Sequence, residues 1–206
     1  MKNNRIVIFG CGGHSRSVTD VLLSTQNKLL ITYVDKEAKE GETLFGFPVL
    51  KSLEFADLPF FFAIGDNIQR KEMYEQMGSD HLISIQSSKT HLEKDAKIGK
   101  GVFIGNFTHI GTQTKIGNNT ILSSGSNVEQ GCVIGNHSHI GPGAVVSSRS
   151  ALGDQVFIGA GATVEDSISI CSNVIIGAGA LITRDIEQPG VYIGRPAIPM
   201  QKIQTS

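Results

Sequence analysis

The hydrophobic positions of this 206-residue chain follow two different rhythms. Over the first 85 residues, apolar runs at 5–9 (RIVIF), 29–34, 59–64 and 81–85 read as strands, separated by stretches with helical spacing. Residues 14–23 place Val18, Val21 and Leu22 on one helical face. Residues 67–77 do the same with Ile68, Met73, Tyr74 and Met77, behind Asp66 as a natural N-cap. Strand–helix–strand order in units this short predicts a small parallel α/β sheet.

From residue 96 to 185 the rhythm changes. Set in sixes, the chain reads AKIGKG, VFIGNF, THIGTQ, TKIGNN, TILSSG, SNVEQG, CVIGNH, SHIGPG, AVVSSR, SALGDQ, VFIGAG, ATVEDS, ISICSN, VIIGAG, ALITRD. The third place is always Ile, Leu or Val, from Ile98 to Ile182, and the fourth is most often Gly. A strict period of six cannot be the stripe of an α-helix, whose period is 3.6. It suits a parallel β-helix, in which each hexapeptide is a short strand and a corner, the aliphatic residue points inward and glycine permits the turn. Three strands per coil predict five coils of 18 residues, stacked at roughly 4.8 Å into a prism about 24 Å long.

Composition sharpens this division. Residues 96–185 hold only 10 charged residues in 90, and the remaining 27 fall in the other 116. The polar stretch QSSKTHLEKD at 86–95 is a natural junction, giving domains of 1–86 and 87–206. A formal net charge of −1 gives no support to a nucleic-acid groove or a polybasic membrane surface. No apolar run approaches the ~18 residues of a membrane span, and residues 1–12 lack a signal-peptide pattern. Cys11, Cys132 and Cys171 are widely spaced, with no CxxC. That argues against a disulfide scaffold or a thiolate zinc site and makes a reducing cytoplasm the default.

Candidate chemistry begins at Gly10-Cys11-Gly12-Gly13-His14-Ser15, which follows a strand and opens a helix. Glycine lets an anion approach the backbone, and a helix N-terminus supplies N–H donors and positive potential. Ser15 stands where a dinucleotide fingerprint needs its third glycine, so a mononucleotide or sugar-phosphate site is favoured over NAD; the bland alternative is a structural turn. Asp35, at the end of the second strand, is placed either to accept hydrogen bonds from a ribose or base, or to form a surface turn with Lys36.

The [LIV]-G-x-x-[STAV]-x repeat, together with FGCGGHSRSVTDVL, FFAIGDNIQRK and the closing GVYIGRPAIPM, resembles the bacterial sialic-acid O-acetyltransferase and nucleotide-sugar N-acetyltransferase family over nearly the whole chain. The resemblance implies an α/β Rossmann-like half-domain that binds the sugar nucleotide, followed by an all-β left-handed parallel β-helix that binds acyl-CoA. The hand comes from the resemblance alone. It also implies a homotrimer with acetyl-CoA as co-substrate between neighbouring β-helices, and no metal. The acceptor would be a nucleotide-activated amino sugar or a sialic-acid-like sugar of surface polysaccharide synthesis. By resemblance, Gly12, Gly13, His14, Asp35, Lys36, Gly65, Arg70 and Lys71 line the sugar-nucleotide site, and His139, Ser148, Ala160 and Ala178 contact CoA. The last three have a second reading as small residues at turns.

The family's catalytic stretch, V-E-H-[DE]-C or close to it, is here Val128-Glu129-Gln130-Gly131-Cys132. Gln130 thus stands for the base histidine, Gly131 for its carboxylate, and Ser123 for an asparagine one strand earlier. Glutamine cannot take a proton near neutral pH, and a general base is worth roughly 10²–10⁴-fold. Among the other histidines, His14 on the substrate loop is the best-placed base. An amine that is already partly neutral can attack a thioester with less help, so the loss should hurt O-transfer more than N-transfer. The competing expectation is a catalytically weakened homologue that binds nucleotide sugar or CoA as a partner protein. A shared zinc site of the carbonic-anhydrase kind is disfavoured, because His109, His137 and His139 have the wrong spacing for it. Cys132 occupies a small inward place and reads as core.

Overall fold

The computed structural model describes residues 4–25, 28–54 and 57–200; the first residues of the 1–12 stretch and the C-terminal tail at 201–206 lie outside it. The chain opens with strand β1 (Arg5–Phe9), helix α1 (Gly13–Thr25) and strand β2 (Leu30–Val34). A hairpin of β3 (Thr43–Leu44) and β4 (Phe47–Leu50) follows, then β5 (Phe60–Phe62) and helix α2 (Asn67–Met77). The sheet order is β3-β4-β2-β1-β5, parallel except for the hairpin. Helix α2 starts where the sequence placed it, since the Asp66 side chain accepts from the Gln69 N–H at 2.8 Å.

The expected fourth strand at 81–85 does not form in this sheet. Leu82 makes only an isolated bridge to Phe60, and residues 85–86 pair instead with 103–104 of the prism. An apolar run cannot say which of two adjoining sheets it will join. The hairpin escaped the sequence reading for another reason. Its turn rests on positive φ at Phe45 (52°) and Gly46 (79°), and Phe is an unusual residue for that conformation.

The second region is a parallel β-solenoid with three faces. Their sheets have six, five and eight strands, and each strand pairs with the one 18 residues on. The inward aliphatic residues, from Ile104 to Ile182, form one continuous core with Cys132 inside it. The ladder begins two hexapeptides before residue 96, with strands at 85–86 and 91–92. Gln86 sits at an inward-register place, which hid this start from the aliphatic pattern. The last coil is closed by Gly190–Ile193, parallel to Val174–Ile176, and by an antiparallel turn back to Ile198–Pro199.

Glycine serves this repeat differently from the expectation. The residue in the left-handed conformation is the sixth of each hexapeptide, from Gly101 to Gly179, with φ of 55–71°, and it is as often Phe107, Gln113, Asn119 or Arg149 as glycine. The fourth-place glycines have no positive φ. A Cβ on Gly135 would lie 2.4 Å from the Gly153 carbonyl carbon, and one on Gly111 would lie 2.5 Å from the Gln130 nitrogen. Fourth-place glycine therefore permits coils to stack, and only the sixth place makes the turn.

The N-terminal region packs on the face that carries Phe103, Ile121 and His139, and Phe103 and Ile121 belong to the same apolar cluster as Ile8, Val18 and Phe61. One of the three edges of the prism meets α2. There Asn118, Asn136 and Asp154 stack, each side-chain oxygen accepting a backbone N–H from the coil before it. Among the described residues, no helix is long and apolar enough to cross a membrane.

Candidate active site

The seam between the two regions gathers the polar side chains that the sequence spread over 125 positions, from His14 to His139. β1 delivers the chain to Gly10, where φ is +99° and a Cβ would lie 3.0 Å from the Ala63 carbonyl oxygen, so a side chain is disfavoured. The loop then turns into α1 through Gly12 and Gly13, both exposed with open space around them. Asp35 holds this loop in shape, since its carboxylate accepts from the Cys11 N–H at 2.9 Å and the Glu37 N–H at 3.0 Å. Lys36 beside it is exposed.

His14, the second residue of α1, points down onto the prism. Its ring meets Phe103 edge-on at 4.9 Å and lies 6.3 Å from the ring of His139. Its Nε2 is shielded from solvent and has no hydrogen-bond partner among the described residues. Burial, with His139 and Arg70 nearby, pushes its pKa down to about 3. A ring so placed is neutral at pH 7, but it holds a proton poorly.

His139 stands on the facing strand with both nitrogens engaged. Nδ1 lies 3.3 Å from the Gly65 carbonyl and Nε2 lies 2.9 Å from the Ser123 hydroxyl. Burial first, then the Arg70 charge, lowers its pKa to about 4, while the Gly65 carbonyl opposes the shift. A carbonyl only accepts, so Nδ1 carries the hydrogen and Nε2 is left as the acceptor for Ser123. Phe157, one coil on, closes the other side of the ring at 5.1 Å.

Arg70 was expected to face the ligand, and the structure puts it elsewhere. Its side chain is 0% exposed. The guanidinium donates to the carbonyls of Ile64, Gly65 and Asp66 on its own side of the seam, and to those of Asn119, His137 and Ser138 on the prism; Asn67 Oδ1 takes a further bond. With every donor engaged by protein, Arg70 is a clasp between the regions, and burial lowers its pKa to about 9, which leaves it charged. Lys71 likewise reaches the prism, at Gln155 (3.2 Å), and pairs with Glu75. His137 faces Asn119 and the edge of the Tyr74 ring, away from the His139 partners.

The remaining expected residues divide between the other two prism edges. Ala160 and Ala178 lie exposed, one coil apart, on the edge that follows the His139 face. The sixth-place residues there, Gly143, Gly161 and Gly179, leave open space where side chains would stand. Ser123 leads onto the same edge, which these small residues leave smooth from beside His139 onward. Gln130 and Ser148 sit on the third edge, with Gln130 exposed and its carbonyl accepting from Arg149. Gly131 has φ +69°, and a Cβ on it would meet Arg149 Cγ at 3.6 Å. Within one chain, then, the structure joins His14, Gly65 and His139, and leaves Gln130 apart from them.

Sequence reasoning missed Ser123 as a partner of His139. The signal was the register: Ile121 and Ser123 both face outward on the strand beside His139, since Ile121 pairs with it.

Comparison with known proteins bears on this geometry directly. Residues 5–77 match the PglD N-terminal domain, and residues 95–130, 113–148 and 150–184 match the bacterial transferase hexapeptide (six repeats). A solved histidine-to-alanine variant of GDP-perosamine N-acetyltransferase from Caulobacter crescentus, in complex with CoA and GDP-perosamine, is 26% identical with a TM-score of 0.88, covering 96% of this chain and 97% of that one. The chain belongs to the hexapeptide-repeat nucleotide-sugar acetyltransferase family. A second similar structure is WeeI from Acinetobacter baumannii, at 26% identity and TM-score 0.85 over 95% of this chain and 99% of that one. The acetyltransferase domain of PglB from Neisseria gonorrhoeae, in complex with acetyl coenzyme A, shares the fold at 24% identity and TM-score 0.88, over 96% of this chain and 100% of that one. Uncharacterized protein L142 of Acanthamoeba polyphaga mimivirus is 29% identical over 104 residues, 48% of this chain and 21% of that protein, so this chain spans about a fifth of that relative's length.

Proposed function

We propose that this protein is an acetyl-CoA-dependent acetyltransferase whose acceptor is a nucleotide-activated sugar bearing a free amine. The observation that carries the reading is the similarity over 96% of the chain, in both regions at once, to an N-acetyltransferase solved with CoA and GDP-perosamine. The geometry supports it in three ways. The exposed Gly12–Gly13 turn at the start of α1 offers backbone N–H groups to a phosphate. The smooth edge past Ala160 and Ala178 leaves an extended thiol-bearing arm free to lie along it, so these residues fit CoA. The seam between them holds neutral, shielded histidines, one with an orphaned Nε2 that an incoming donor would satisfy.

In this reading the nucleotide part anchors at the loop and the amine enters the seam. Binding two reactants in one site makes the attack effectively unimolecular, and effective molarities of this kind reach roughly 10⁵–10⁸ M. An amine is favoured over a hydroxyl because it needs less help in losing its proton. The functional unit is a homotrimer, in which the Gln130–Ser148 edge of one prism would face the smooth edge of its neighbour. It works in the cytoplasm, in keeping with three free cysteines.

The test is thiol release from acetyl-CoA in the presence of UDP-, GDP- and dTDP-linked amino sugars. Steady release with one of them is the expected result. A second reading, favoured by the exposed Gln130 beside Gly131, is a weakened homologue that binds these molecules without turning them over. Silence with every sugar, followed by rapid release after Gln130→His with Gly131→Asp, would select it.

A further inference from the structure

We propose that the Ser123 hydroxyl and His139, oriented by the Gly65 carbonyl, form the proton relay that serves this chain in the absence of a base at position 130. The inference rests on the acetyltransferase reading above and gives that site its missing proton path.

The relay follows from atoms already placed. The Gly65 carbonyl fixes the hydrogen on Nδ1 of His139, so the Nε2 lone pair must meet the Ser123 hydroxyl, at 2.9 Å. A hydroxyl, a base and a third group that orients the base is the arrangement that activates oxygen in many enzymes. Gly65 is itself held, since its carbonyl also accepts from Arg70 at 3.1 Å. Ser123 is half-buried at the head of the smooth edge, so part of it stays accessible there while its hydroxyl meets His139. An asparagine at this place could not pass a proton in this way, and an alanine could not make the contact.

The step balances without any further reagent. As the amine nitrogen bonds to the thioester carbonyl carbon, Ser123 gives its proton to Nε2 and takes one from the nitrogen. The carbon–sulfur bond then breaks, and the proton on Nε2 returns through the hydroxyl to the CoA sulfur. The groups facing His139 are His14 from α1, Arg70 from α2, the Gly65 carbonyl, Ser123 and Phe157. None is a carboxylate, and Arg70 is positive, so the imidazolium is short-lived and the ring is neutral down to about pH 4.

The experiment compares wild type, Ser123→Ala and Ser123→Thr. It measures kcat and KM for acetyl-CoA by thiol release with GDP-perosamine and with UDP- and dTDP-linked 4-amino sugars, between pH 5.5 and 8. Ser123→Ala should lower kcat by about 10–100-fold with KM within about threefold, and Ser123→Thr should keep most of the rate. The ratio of wild-type to Ser123→Ala kcat cancels the titration of the amine itself. That ratio should stay level to pH 5.5, where a histidine of ordinary pKa would already have lost about tenfold. In parallel, ¹⁵N-imidazole NMR, with His139→Gln to assign the signal, should show His139 neutral with hydrogen on Nδ1. An unchanged kcat in Ser123→Ala, or hydrogen on Nε2 of His139, overturns the relay alone. A wild-type protein that releases no thiol with any of the sugars overturns the acetyltransferase reading on which the relay depends.

Discussion

The two places where a base was sought differ in almost every physical respect. The seam at His14 and His139 is buried, walled by Phe103 and Phe157 and crossed by the Arg70 guanidinium, and it lowers both imidazole pKa values to about 3 and about 4. The Gln130 edge is exposed, flanked by Glu129 and Arg149, and carries no group that exchanges a proton near neutrality. In the proposed relay the first place passes a proton without storing one, and the second takes no part. The burial that lowers both histidines is set by what the N-terminal region packs against, and the hexapeptide register alone does not reveal it.

Removing the clasp should break this comparison most violently. Arg70→Met leaves carbonyls on both sides of the seam without a donor, and breaking a buried charged network of this kind typically costs about 3–5 kcal/mol. Urea denaturation should show that loss, and Arg70→Lys should recover only part of it, because one ammonium cannot reach acceptors in seven directions. A loss under about 1 kcal/mol would mean that the seam is held by its apolar contacts.

Acid should separate the two places next. His14 and His139 have folded pKa values below the unfolded value of about 6.5, so between that pH and about 4 the unfolded chain binds protons that the native chain refuses. Stability is complete above about pH 6.5 and falls as pH drops, by up to about 1.4 kcal/mol per unit for each histidine. Unfolding curves at pH 7, 6, 5 and 4 should show this slope, and His139→Gln should flatten it. A slope unaffected by that variant would place the titration elsewhere.

The fold was largely legible and the seam was not, for reasons visible in particular residues. The period of six from Ile98 to Ile182 specified the prism because each third place in that span turns an aliphatic side chain toward the core. The Asp66 cap and the limits of α2 were equally local. The seam depends on hydrogen-bonded pairs separated by 49–89 positions, from Arg70 with Asn119 to Asn67 with Val156, and no spacing rule reaches across two regions. Arg70 looked like a ligand group because arginine usually binds anions, and only its packing reveals the clasp. The role given to glycine failed at the fourth place, where crowding between coils rather than φ is the constraint.

The exposed edge offers the gentlest variant. Gly131→Asp should change stability by no more than about 1 kcal/mol, since φ +69° is a conformation that Asp tolerates and its Cβ would meet Arg149 at an ordinary 3.6 Å. Gly111→Ala, one coil earlier on the same edge, should cost about 1–3 kcal/mol, because its Cβ would lie 2.5 Å from the Gln130 nitrogen. Thermal unfolding of the two variants side by side would distinguish a turn glycine from a stacking glycine.

The most direct measurement is the turnover of His139→Gln against that of Gln130→Ala, assayed by thiol release from acetyl-CoA with GDP-perosamine at pH 7.5. If the buried seam conducts the proton, His139→Gln should lose about 10²-fold in kcat and at least tenfold more than Gln130→Ala. Equal losses in the two variants, or a larger loss at Gln130, would contradict the account and return the chemistry to the exposed edge.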